Sequence, residues 1–157
     1  MVRISAIDTQ TVRRLQAGGP DANGQVPERA VSDGKGVPCR HCLEQVEAGA
    51  EYLIVSHCPF PEPQPYAEKG PVFLHARECE RHVSNGNVPA MLESPAYMIR
   101  GYNAQNRIVY GTGKIVPTQD LASAAAEMFA DDAIEYAHVR SAENNCFQFR
   151  VERDQGS

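Results

Sequence analysis

The chain has 157 residues, a formal net charge of −5, 42% hydrophobic residues, only 7% aromatics and no Trp. That suits one domain over 1–157 with an aliphatic core, and it excludes the Lys/Arg excess of a broad nucleic-acid or anionic-membrane surface. Residues 1–10 hold no long apolar stretch, so no secretory signal is expected, and no run approaches the ~18 apolar residues of a membrane span. A cytosolic protein is expected. Its five cysteines (39, 42, 58, 79 and 146) should then be reduced, catalytic or metal-bound rather than paired as disulfides.

In chain order, Val2 to Ile7 predicts a short strand. Asp8 or Thr9 can N-cap a helix to about Gln16, stopped by Gly18-Gly19-Pro20. A Gly/Pro/Asn/Asp-rich loop follows, then a strand over Val26 to Val31 and a clear one over Glu51 to Ser56. Residues 59–66 are rich in Pro and form an exposed loop, because Pro has no N–H for a ladder. Pro71 to Leu74 predicts a buried strand, Ala76 to Val83 one or two helical turns, and Val88 to Glu93 a short helix. Tyr97 to Asn103 and Arg107 to Val116 predict a hairpin around Ala104-Gln105-Asn106. Thr118 should cap a helix to about Ala130, with Leu121, Ala124, Ala125, Met128 and Phe129 on one apolar face. Ile134 to Ser141 and Cys146 to Arg153 predict a second hairpin. The fold class is α+β: a mainly antiparallel sheet of hairpins with one main helix, about 118–130, on a face.

Two short clusters carry the chemistry. Cys39-Arg40-His41-Cys42 is a C-x-x-C, and His75-Ala76-Arg77-Glu78-Cys79 is an H-x-x-x-C with His82 three residues on. Two residues between thiolates let both sulfurs reach one ion about 2.3 Å away. In a helix His75 and Cys79, at i and i+4, would share a face with His82 at i+7. The expected metal ligands are Cys39, Cys42, His75 and Cys79, with His82 and His41 as substitutes, and the expected cofactor is zinc in a structural role. A bland alternative is a set of buried thiols and surface imidazoles. An enzyme reading is a zinc-dependent hydrolase with an open metal position and a base among His41, His57 and His82. A redox reading places Cys39 and Cys42 at a helix start, where the dipole and His41 would lower a thiol pKa. Whether His57 and Cys58 join the cluster is open.

The last hairpin has a specific expected register. With Glu143-Asn144-Asn145 as its turn and Asn145 in the left-handed region, Ala142 faces Cys146, Arg140 faces Gln148, His138 faces Arg150, Val139 faces Phe149 and Ala137 faces Val151. The opposite face then presents His138, Arg140 and Arg150, able to bind a small anionic ligand. A protein partner is the other expected ligand, and a merely solvated charged face is the bland alternative.

The chain resembles a bacterial family of domains of unknown function, family 1203. The likeness rests on Arg3-Ile4-Ser5-Ala6-Ile7, Val37-Pro38-Cys39-Arg40, Glu47-Ala48-Gly49-Ala50-Glu51, Gly70-Pro71-Val72-Phe73-Leu74-His75, Ile99-Arg100-Gly101-Tyr102, Tyr136-Ala137-His138-Val139-Arg140, Asn145-Cys146-Phe147 and Arg150-Val151-Glu152-Arg153. It implies a stand-alone bacterial domain and no particular activity. It also implies that some members keep only Cys39 of the ligand set, so that zinc belongs to a subgroup.

Overall fold

Hairpin-forming alternation dominates this chain, and in the computed structural model, which describes residues 1–155, it yields two antiparallel sheets. The larger sheet has the order β1-β8-β7-β5-β6 and the smaller β2-β3-β4. The strands are β1 (Val2–Ser5), β2 (Glu28–Val31), β3 (Glu51–His57), β4 (Gly70–His75), β5 (Ala96–Tyr102), β6 (Lys114–Pro117), β7 (Tyr136–Ser141) and β8 (Phe147–Arg153). With helices α1 (Thr9–Gln16) and α2 (Leu121–Met128) the fold is α+β.

The helices begin and end for local reasons. Asp8 caps α1: its carboxylate accepts from Thr11 N–H (2.9 Å), satisfying one of the orphan donors of the first turn. Val12 and Leu15 are the residues α1 buries. A 3₁₀ turn over Thr118–Asp120 leads into α2, and Thr118 donates its hydroxyl to Ser94 O rather than capping the helix. As expected, Leu121, Ala124, Ala125 and Met128 face inward, while Phe129 caps the end and is partly buried.

The predicted apolar face of α2 packs on Ile99, Ala137, Val139, Phe149 and Val151 of the larger sheet. A Cβ at Gly101 would lie 2.9 Å from Met128 Sδ and 3.2 Å from Ile134 Cγ2, so the helix end crosses β5 closely and a larger residue here would make both side chains shift. The opposite face of that sheet meets the smaller sheet. There Phe147, Val12, Leu15, Leu53, Val55, Val72 and Leu74 make a second core. Phe60, Tyr102 and Tyr136 make a third, so the Pro-rich loop is anchored at Phe60.

Several expected elements come out differently. Ala76 to Val83 forms no helix. His75 is still in β4, paired with Tyr52, and Ala76 N–H still donates to Glu51 O, so the backbone stays extended where a helix would have begun. Val88 to Glu93 is irregular, with a turn at Ala90-Met91. The second strand of the first hairpin is interrupted: Asn103 N–H donates to Arg107 O (2.9 Å), Ile108 bridges Tyr102 and Val109 N–H donates to Gly101 O (2.9 Å), but the chain then leaves the ladder until Lys114–Pro117. In the last hairpin Asn145 is left-handed (φ 57°), and Ala137–Val151, His138–Arg150 and Val139–Phe149 pair as expected. A β-bulge after Val139 then pairs Arg140 with Phe147 instead of Gln148, and Ser141 N–H with Cys146 O. The extra residue carries Phe147 off the helix-facing side of the sheet and into the second core.

Candidate metal centre

The C-x-x-C segment is a knuckle rather than a helix start. Pro38 and Gln45 bridge as an antiparallel pair, Cys39 N–H donates to Glu44 O (2.9 Å) and Leu43 N–H to Cys39 O (2.9 Å). Leu43 takes φ 58° to close the turn, a left-handed conformation that branched residues rarely adopt, and is fully buried. No helix follows Cys42, so the redox reading loses the dipole it needed.

The knuckle hangs on the edge of β4. Cys39 bridges Phe73, and Arg40 N–H donates to Phe73 O (3.0 Å). The buried Arg40 side chain ties it to the larger sheet through Phe147 O (2.8 Å) and braces the knuckle itself through Pro38 O (2.7 Å). Because β4 ends on His75, two residues beyond Phe73, the knuckle and the second ligand segment meet at one corner.

One ligand atom from each of Cys39, Cys42, His75 and Cys79 lies within 4.8 Å of the others. Cys39 Sγ and Cys79 Sγ are 3.9 Å apart, and Cys42 Sγ and His75 Nδ1 3.5 Å. A tetrahedron with metal–sulfur bonds of about 2.3 Å and metal–nitrogen bonds of about 2.05 Å has sulfur–sulfur edges of about 3.8 Å and sulfur–nitrogen edges of about 3.6 Å. The cluster therefore fits a four-coordinate ion, and these four residues can hold a metal.

The surroundings favour negative sulfur. His75 N–H donates to Cys39 Sγ (3.3 Å), and the N–H groups of Cys42 and Glu44 support Cys39 and Cys42 respectively. Cys39 is pushed strongly toward thiolate by hydrogen bonds from Cys42, Cys79 and His75, which outweigh its burial. Cys42 moves upward because its proton serves Cys39, and Cys79 rises to about 11 for the same reason.

Behind the ligands stands a further layer that orients them. His75 Nε2 lies 3.2 Å from Glu47 Oε2, the carboxylate–histidine arrangement common behind metal ligands. Glu47, held down to about 2 by its own N–H, by Arg77 and by His75, remains ionised for that task. His41 is fully buried and stands 3.2 Å from Cys79 Sγ through Nδ1 and 2.9 Å from Thr9 Oγ1 through Nε2. It belongs behind the cluster, not in it. Helix α1 pins the second segment: Arg13 donates to Cys79 O (2.8 Å), and Gln16 to His75 O (3.0 Å) and Arg77 O (2.7 Å). Arg13, Gln16 and Glu47 went unseen in the sequence, since no local spacing links them to the cysteines.

The remaining predicted residues lie elsewhere. His82 donates its N–H to His41 O (2.9 Å) but is outside the four-residue group, because the segment is a loop and not the helix that would have stacked it on His75. His57 and Cys58 are also outside it and line a separate cavity of about 520 Å³. His138 and Arg150 face that same cavity, whereas Arg140 lines another of about 200 Å³. The three residues expected on one anion-binding face are thus divided between two cavities. Nor is that face wholly solvated: Arg140 is buried and His138 is enclosed by the rings of Phe60, Tyr102, Tyr136 and Phe147, while Arg150 is partly exposed.

A family model described as a protein of unknown function, DUF1203, matches residues 36–153. The chain belongs to the DUF1203 family. The matched span includes both knuckle cysteines, His75, Cys79 and the last hairpin. No curated protein and no solved structure matches the chain. No helix among the described residues is long and apolar enough to cross a membrane.

Proposed function

We propose that this DUF1203 protein is a cytosolic zinc-stabilised domain in which Cys39, Cys42, His75 and Cys79 hold one structural zinc ion. The observation that carries the reading is the convergence of these four ligand atoms within 4.8 Å from two segments 32 residues apart. Three sulfurs and an imidazole suit zinc over hard cations such as magnesium or calcium, which take oxygen. Four protein ligands fill a tetrahedron and leave no position for water, which favours a structural role over the hydrolase alternative. A Cys₃His site with three thiolates carries one net negative charge, and the N–H donors at Cys39 and Cys42 together with His41 beside Cys79 suit it.

Elemental analysis of the purified full chain, paired with thiol titration, tests this. The expected result is one zinc per chain, with Cys39, Cys42 and Cys79 protected until a chelator is added and the structure around the knuckle and the smaller sheet lost on chelation. Absence of metal with a freely reactive Cys42 would overturn the reading. Zinc that leaves without loss of fold would transfer it to the hydrolase alternative.

A further inference from the structure

Arg140 is a buried guanidinium without a counter-charge. It is 5% exposed, its Nη1 donates to Asn145 O (3.1 Å), and its Nε and Nη2 are buried with no hydrogen-bond partner. It lines the cavity of about 200 Å³ between the β7–β8 turn and the start of β4, together with Lys69, Glu68, Asn144 and Cys146. The carboxylate among these, Glu68, is already bound to Arg100 Nη2 (2.9 Å). The β-bulge sets Arg140 opposite Phe147 at this point, and bulges commonly re-aim a side chain beside a site.

Buried charge is retained where something pairs with it, and guanidinium forks are built for planar or tetrahedral oxyanions. Water in the cavity leaves the Arg140 charge unbalanced, whereas an oxyanion there neutralises it. The cavity is smaller than the ~300–1,000 Å³ of ordinary ligand pockets, so the occupant is small. We propose that Arg140 anchors a small oxyanion, a phosphate or a short carboxylate, in this cavity, with Lys69 at its rim. The cavity lies between the larger sheet and the start of β4, and none of its lining residues is one of the proposed zinc ligands.

Cys146 lines the same cavity and is half-buried, while the half-buried Cys58 lies outside it, so the protein carries its own reporter and its own control. The experiment follows iodoacetamide alkylation of both cysteines in the full chain by mass spectrometry, with added inorganic phosphate, malonate, or sodium chloride at matched ionic strength. Slowing of Cys146 by about tenfold is expected once the oxyanion reaches about ten times its Kd, with Cys58 unchanged. Protection by phosphate alone identifies a phosphoryl ligand, by malonate alone a carboxylate. In Arg140→Lys, which keeps the charge but loses the fork, protection should shrink at any given anion concentration. Equal Cys146 rates in all three salts overturn the proposal in the wild-type protein, whatever the variant does. So does protection by chloride matching that by the oxyanions, or protection undiminished in a folded Arg140→Lys.

Discussion

The two sheets of this protein are held together differently. The larger one buries a continuous apolar face, from Val2 and Ile4 through Val151, Phe149, Val139 and Ile99, beneath α2. The smaller one has little of its own. β2 buries no residue, so Leu53, Val55, Val72 and Leu74 on the two other strands face α1, Phe147 and the cysteine knuckle. Where apolar surface suffices, packing specifies the structure; where strands are few and one is exposed, a four-residue cluster that could hold a metal brings the segments together. Cys39 belongs to both schemes, being fully buried in the second core and a member of the four-residue cluster.

Metal removal should break this comparison most visibly. Hydrogen exchange after chelation should speed up across residues 37–57 and 70–82 by orders of magnitude, while amides of β5, β7 and β8 keep more of their protection. Structural zinc in small peptide sites carries about 10–16 kcal/mol of apparent binding energy at neutral pH, so the local loss is expected to be large. Uniform loss over both sheets would mean that they unfold as one unit and that the division drawn here is geometric only.

Truncating Ile99 probes the other side. Its side chain is fully buried beneath α2, and Ile99→Ala should cost about 2–5 kcal/mol in denaturant unfolding through lost burial and a residual cavity. Bound zinc per chain should stay unchanged at low denaturant. A fall in zinc content would show that the cluster depends on the larger sheet's packing.

The joint between the sheets gives the smallest expected effect. His57 ends β3 and lies 5.6 Å, ring to ring, from Phe147. Burial lowers its pKa to about 4, with Arg40 adding to the shift and Asp8 opposing it. A histidine whose folded pKa lies below its unfolded value of about 6.5 takes up protons first in the unfolded chain, so stability is full above that pH and falls as pH drops toward 4. His57→Gln should flatten the slope of unfolding free energy against pH in that window by up to one proton's worth. A wild-type slope unchanged in the variant would place the titrating group elsewhere, at His41 or His138, both fully buried and both lowered by that burial.

Much of the local structure was legible because its determinants are local. Asp8 lies one step before the first turn of α1, the apolar face of α2 follows from i, i+3 and i+4 spacing, and Asn145 can take the left-handed turn of the last hairpin. The helix expected over Ala76 to Val83 failed because its spacing was read without knowing that His75 was still paired to Tyr52. The register expected beyond Val139 failed because a bulge looks like regular alternation until its partner strand is placed.

The sequence alone determined which atoms are available at the cluster. Three thiols and an imidazole in two short pairs can converge from several backbone shapes, so the four-residue cluster was readable even though the predicted helix was wrong. Tertiary structure decided what no spacing encodes: that α1 clamps the second pair through Arg13 and Gln16, that Glu47 reaches His75, and that His138 and Arg140, two residues apart on one strand, look into different cavities. Periodicity assigns a side chain to a face of its strand. What covers that face, and whether a charge there meets water, a carboxylate or an open cavity, depends on residues remote in sequence that only the packed sheets bring near.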